Sequence, residues 1–136
     1  MFADIDEKQL ARELGRNEDG SPTRFFAGDL REKLTLANLL SATVDAFETV
    51  DILVNASRQM VASDPLNPDD DAVELLLQQN LMTALRTSQL VAKRMIKQAE
   101  GREEGSAGTI VNLSSIAARR THPDLLAYSV SSAALD

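Results

Sequence analysis

Asp51-Ile52-Leu53-Val54-Asn55-Ala56 and Gly108-Thr109-Ile110-Val111-Asn112-Leu113-Ser114-Ser115 are the two stretches on which the reading of the fold turns. Each is an apolar run too short for a helix and bounded by polar turn residues. Ile52-Leu53-Val54 is apolar at consecutive positions, which suits a parallel strand covered by helices on both faces. Between the two runs, residues 56–70 form a loop with Pro65 and Pro68. A helical pattern then extends to about Gln98, carrying Leu76, Leu77, Leu81, Leu85, Val91, Met95 and Ile96. Asp69-Asp70-Asp71 stand where that helix begins, and negative charge favours a helix N-terminus.

The same alternation continues outward. Upstream, Met1–Ile5 reads as a strand and Glu7–Arg16 as a helix with Leu10, Ala11 and Leu14 on one face. Asn17–Pro22 is a turn cluster. Arg24–Ala27 is a second strand, ended by Gly28-Asp29. A helix from about Leu34 to Val50 carries Leu36, Leu39, Leu40, Val44 and Phe47. Downstream of the long helix, Gly101–Gly108 is a polar loop, Thr109–Leu113 a fourth strand, and a new helix begins near Ala127. The order β-α-β-α-β-α-β, with crossovers long enough for parallel pairing, predicts an α/β fold. Its expected form is an open parallel sheet with helices on both faces, one domain over 1–136.

Composition narrows the function classes. The chain has 136 residues, 43% of them apolar, enough for a packed core. Fourteen basic against 21 acidic residues give net −7 and a pI near 4.7. Such a surface repels phosphate backbones and anionic lipid, so neither nucleic acid nor a membrane is an expected partner. There is no Cys and one His, which excludes a thiolate nucleophile and leaves no ligand set for a zinc site. No apolar run approaches the ~20 residues of a membrane span. Met1-Phe2-Ala3-Asp4 lacks a basic n-region, so no signal peptide is read there. The expectation is a soluble cytoplasmic protein.

Three features taken together resemble the short-chain dehydrogenases/reductases. They are the strand ending in Asn55-Ala56, Asn80 inside the long helix, and Ser114-Ser115 followed thirteen residues later by Tyr128 in Ala127-Tyr128-Ser129-Val130-Ser131. The resemblance covers essentially the whole chain and implies a Rossmann-like domain, from its second strand to the helix bearing the Tyr. It implies that Tyr128 is the general acid/base and that Ser115 hydrogen-bonds the reacting substrate oxygen. It implies that Asn80 holds a water of the proton relay. For the cofactor it implies Asp4 at the adenosine ribose hydroxyls, Asp29 at the adenine and Asn55 beside the cofactor at the end of its strand. A carboxylate at Asp4 repels a 2′-phosphate, so NAD is expected over NADP. The implied substrate is a small alcohol or ketone, and the implied assembly a homo-oligomer, dimer or tetramer, through the long helix and the Tyr helix. Each residue also has a simpler reading: Asp4 and Asp29 as loop acids, Asn80 as a polar helix residue, Ser115 as a turn cap, Tyr128 as packing.

The sequence departs from the family in three places. Four residues after the Tyr the family has Lys, where this chain has Ser132. The two positions share a helix face. A unit charge about 4 Å away contributes roughly 4 kcal/mol at an effective dielectric near 20. That changes a phenol's acidity by about three powers of ten, and a Tyr without such a cation is a poor base at neutral pH. Second, the Asn-Asn-Ala-Gly expected after the central strand is Asn55-Ala56-Ser57-Arg58, and the Gly expected soon after the Ser pair is Ala118. Third, no Gly-x-x-x-Gly-x-Gly occurs, so the first strand with its phosphate-binding turn and the C-terminal strands are expected to be absent. Two strand pairs with unpaired inner edges should result. Two functions follow as expectations: an oxidoreductase moving a hydride between NAD(H) and a hydroxyl/carbonyl pair, incomplete or impaired, or a non-catalytic truncated fragment or pseudo-enzyme that keeps the fold for subunit association.

Overall fold

The computed structural model describes residues 1–101 and 104–136; Arg102 and Glu103 of the expected polar loop lie outside the described residues. The elements are β1 (Phe2–Asp4), α1 (Glu7–Leu14), β2 (Phe25–Ala27), α2 (Lys33–Phe47), β3 (Ile52–Asn55), α3 (Ala72–Leu76), a π-helical turn (Leu77–Met82), α4 (Thr83–Gln98), β4 (Thr109–Asn112) and α5 (Leu126–Leu135). Two short 3-10 turns, Ile116–Ala118 and Pro123–Leu125, precede α5. Every expected strand and helix is present, with shorter ends. α1 stops at Gly15, whose φ of 80° suits a residue without Cβ and whose N–H closes on Ala11 O. α2 stops three residues before Val50 because Glu48 takes a φ of 67°, a conformation an L side chain adopts only at a cost.

The strands form two separate parallel pairs. β1 and β2 align Phe2 with Phe25, Ala3 with Phe26 and Asp4 with Ala27. In the other pair, Thr109 N donates to Asp51 O at 2.9 Å and Leu113 N to Asn55 O at 3.1 Å. Both strands advance together, which is the parallel sense. The expected covering of β3 on both faces is not observed. Ile52 is 66% and Val54 53% exposed while Leu53 is half-buried, so only one face is packed.

By internal contacts the chain divides into two compact units, Met1–Leu53 with Gln89–Thr109 and Val54–Ser88 with Ile110–Asp136. In the first, α1 lies against β1 and β2, and the buried apolar residues are Leu36, Val91 and Met95. A Cβ at Gly108 would lie 2.5 Å from Met95 Sδ, so only glycine lets the chain run that close to the helix. Gln98 fixes the approach to β3. Its Oε1 accepts from Val50 N and its Nε2 donates to Val50 O, both at 3.0 Å.

In the second unit, Ala72, Leu76 and Ala127 form the core, with Val61, Val73 and Tyr128 packed on it. Burying Leu76 completely contributes about 2 kcal/mol. α5 packs against α3, the π turn and both 3-10 turns. Its buried residues are small, Ala127, Ser129, Ser131 and Ser132, which lets those neighbours approach closely. The buried positions Ala72, Leu76, Asn80 and Ala84 recur every four residues. In an α-helix each such step drifts about 40° around the axis. The wider π turn, in which Thr83 N–H reaches back five residues to Gln78 O, takes up that drift. The apolar stripe read from the sequence is only partly the buried one. Leu76, Val91 and Met95 are buried, but Leu85 and Ile96 are exposed, and Asn80, Thr83 and Thr87 are buried instead. Thr83 Oγ1 and Thr87 Oγ1 can be buried because they donate to the carbonyls of Gln78 and Thr83 in their own helix.

Candidate active site

The loop after β3 is tied along α5 at three levels, and this places the candidate residues. At the start of α5 no residue of the helix supplies a cap. Ser63 does so from the loop: its Oγ accepts from Ala127 N at 3.1 Å, and its N donates to Asp124 O at 2.9 Å. One turn further on, Asn80 bridges loop and helix. Its Oδ1 accepts from Gln59 N (2.8 Å), and its Nδ2 donates to Gln59 O (2.9 Å) and to Ser131 Oγ (3.1 Å). At the third level Arg58 Nη2 donates to Ser132 Oγ at 2.5 Å, and Nη1 to Leu113 O at 2.8 Å. The Arg58 guanidinium carbon then lies 4.9 Å from the centroid of the Tyr128 ring.

Asp70 holds the other end of this loop. Its carboxylate accepts from Asp64 N and Ala72 N, and those backbone bonds hold its carboxyl below the usual carboxylate range. Of the three acids expected at the start of the long helix, Asp70 receives the first helical N–H, while Asp71, at the cap position, makes no side-chain cap.

Tyr128 sits half-buried on α5, and Ser131 Oγ donates to its carbonyl. Ser115 follows β4 and caps the 3-10 turn, its Oγ accepting from Ala117 N at 3.2 Å; that turn packs on α5. Ser115 and Tyr128 are thus carried by elements in mutual contact. Asn80 is fully buried, with its side-chain amide committed to Gln59 and Ser131. Asn55 ends β3 and donates to Asn112 Oδ1 (2.8 Å) and Ser88 Oγ (2.9 Å), so its amide lies across the strand pair. Ser132, where the resemblance expects Lys, is fully buried. Besides holding Arg58, its carbonyl accepts from Ser114 Oγ.

The two cofactor acids lie in the first unit. Asp4 ends β1, is exposed, and uses one oxygen, Oδ1, to accept from Asp6 N. Asp29, two residues past β2, has both oxygens on the Arg31 guanidinium, as short as 2.6 Å. That guanidinium holds the Asp29 carboxyl below its ordinary range. Asp4 therefore keeps its second oxygen out of that turn, whereas both oxygens of Asp29 are engaged by Arg31. A groove of about 320 Å³ in this unit, lined by Leu40, Val44, Leu90, Asp45 and Arg94 among others, contains none of the candidate residues. No group of three or more His, Cys, Asp or Glu able to hold a metal is present among the described residues. Nor is any described helix long and apolar enough to cross a membrane.

The family model for short chain dehydrogenase matches residues 2–136. The chain belongs to the short chain dehydrogenase family. An uncharacterized oxidoreductase of Thermotoga maritima is 28% identical over 136 residues, covering 99% of this chain and 50% of that protein. Among solved structures, a NAD+-bound xylitol dehydrogenase superposes with a TM-score of 0.80 at 25% identity, covering 97% of this chain and 49% of the other. A gluconate 5-dehydrogenase from Burkholderia cenocepacia, in complex with NADP and tartrate, gives 0.73 at 22% identity over 98% of this chain and 50% of the other; at that identity the likeness shows the fold. The chain spans about half the length of the curated relatives it matches. As a Rossmann-like short-chain dehydrogenase chain, it places Ser115 and Tyr128 as expected, after β4 and on α5.

Sequence reading missed Ser63, Gln59, Ser131 and Gln98, and registered Arg58 only as a departure from a Gly. No periodicity marks a residue whose partner lies twenty to seventy positions away. The one available signal was a charged residue three positions after an Asn-ended strand.

Proposed function

We propose that this chain is the partial dinucleotide-binding domain of an NAD(H)-linked oxidoreductase acting on a hydroxyl/carbonyl pair of a small alcohol or ketone. The observation that carries this is the half-buried Tyr128, held on α5 beside the Ser115-capped turn, with the Arg58 guanidinium over its ring. When bound, the cofactor supplies or accepts the hydride. Tyr128 exchanges a proton between its hydroxyl and the substrate oxygen. Ser115 Oγ donates to that same oxygen and stabilises its developing charge. Asn80 holds loop and α5 in register; with both amide hydrogens spent on Gln59 and Ser131, a water of the proton relay at its side chain would donate to Oδ1. Asp4 takes the adenosine ribose hydroxyls and disfavours a 2′-phosphate, which supports NAD; the similarity to both an NAD+ complex and an NADP complex leaves that preference resting on Asp4. Asp29 lies beside the adenine, and Asn55 beside the cofactor at the end of its strand.

Partly exposed Leu85, Leu126 and Val130 on α4 and α5 support association with further copies of the chain, and the cytoplasm is the proposed location. A second reading, a non-catalytic chain that keeps the fold for such association, is favoured by the uncharged Ser132. Fluorescence titration with NADH and NADPH separates the two. The oxidoreductase reading expects saturable binding with NADH the tighter ligand, and a narrowed preference in Asp4→Ser. Absence of binding at millimolar NADH would overturn it in favour of the second reading.

A further inference from the structure

Arg58 is the charged residue in contact with the Tyr128 ring, and its position is over-determined. The loop that carries it is fastened to α5 at Ser63–Ala127 and through Asn80 to Ser131, so its backbone has little freedom. Its guanidinium is fixed by the Leu113 carbonyl and the Ser132 hydroxyl. Its Nε is buried and has no hydrogen-bond partner among the described residues. A buried donor left unpaired is costly, so the fold keeps this group in place against a penalty. The Ser132 hydroxyl that receives Nη2 lies one helical turn beyond Tyr128, on the same face of α5.

We propose that Arg58 is the fixed cation of the Tyr128 site, delivered by the loop after β3 and clasped by Ser132, and that it acts as a positioning residue for proton transfer at Tyr128. This rests on reading Tyr128 as the acid/base of the proposed oxidoreductase. A guanidinium stays charged at every pH at which a protein is folded, whereas a buried ammonium loses its proton readily. At 4.9 Å from the ring centroid it lies in the range of a cation–π contact. A fixed positive charge beside a phenol favours its ionised form. The remaining charged groups on the elements packed against α5 are Glu74, Arg119, His122 and Asp124, all exposed. Arg119 is paired with Asp136, and His122 lies beside Asp124, whereas the Arg58 guanidinium lies over the ring itself. The departure at residue 58 and the departure at residue 132 are then one rearrangement: the charge has moved from the helix to the loop, and a small hydroxyl receives it.

The chain offers a direct test, because it has one Tyr and no Trp. Absorbance at 295 nm during an alkaline titration therefore reports ionisation of Tyr128 alone. The native protein should form phenolate at a lower pH than the same chain unfolded in urea. Arg58→Met should lose most of that offset, Arg58→Lys should keep most of it, and Arg58→Met combined with Ser132→Lys should restore it. A native transition at or above the unfolded one, or one unmoved by Arg58→Met, would overturn the proposal. A purely structural clasp would lower stability in Arg58→Met and leave the transition where it was. If circular dichroism shows that Arg58→Met does not fold, the native-versus-unfolded comparison decides alone. Failure of NADH to bind with the phenolate offset intact would sink the oxidoreductase reading and the role in proton transfer with it, leaving Arg58 only as the cation that acts on Tyr128.

Discussion

The two units use the same device at different depths. In the second, the Asn80 amide pairs with both the N–H and the C=O of Gln59; in the first, the Gln98 amide pairs with both the N–H and the C=O of Val50. Each replaces a strand partner with a side chain and pins a loop to a helix. Asn80 does so at 1% exposure and adds Ser131 on α5 as a third partner. Gln98 does so half-buried, with the Arg94 guanidinium sharing its Oε1 at 2.9 Å. The difference teaches where this chain spends its packing. The unit carrying Tyr128 encloses the Asn80–Ser131 hydrogen bond and, beside it, Ser132 bonded to Arg58, while the unit carrying Asp4 and Asp29 keeps its polar contacts near water. Buried networks hold one geometry because a broken member cannot turn to solvent.

Breaking the clasps should give unequal losses. Asn80→Leu strips the fully buried Ser131 hydroxyl of its donor as well as freeing the Gln59 N–H and C=O, and should cost about 3 kcal/mol in urea denaturation. It should also lower Tyr128-dependent turnover, because the loop bearing Arg58 loosens. Gln98→Leu removes the corresponding pair where water can replace it, and should cost about 1 kcal/mol with no change in the tyrosinate titration. Equal costs would mean that depth is not what separates the units.

The smallest effect sharpens the comparison at the surface of the first unit. Asp29 is held below its ordinary carboxylate value by Arg31, so its contribution is present above the unfolded value, about 4, and is lost as pH falls through the lower folded value. Asp29→Asn should therefore be less stable than the parent at pH 6 by under about 1 kcal/mol. That gap should close on acidification and shrink in high salt. A gap that persists at pH 2 would point to packing and not charge.

What could be read from sequence follows from what is periodic. Apolar runs such as Ile52–Val54 and the 3.6-residue stripe of α2 marked strands and helices, and the Ser115–Tyr128 spacing marked the family. The π turn escaped because a four-residue repeat at Ala72, Leu76, Asn80 and Ala84 is compatible with an ordinary helix until its drift is followed in three dimensions. Ser63 as the cap of α5 escaped because caps are expected next to the helix in sequence, and this one comes from 64 residues earlier. The open face of β3 escaped because an apolar tripeptide does not tell which neighbours will cover it. Ser132 was read as the loss of a cation, since a sequence shows which residue a position holds and not which side chain reaches it.

The central claim is that Tyr128 is the proton-transfer group of an oxidoreductase site. Single-turnover transfer of deuterium from 4-deuterated NADH to a small ketone, compared between the parent chain and Tyr128→Phe, tests it directly. The expected result is transfer by the parent and a loss of about a hundredfold or more in Tyr128→Phe with NADH affinity unchanged. Equal transfer rates in the two proteins would contradict the claim.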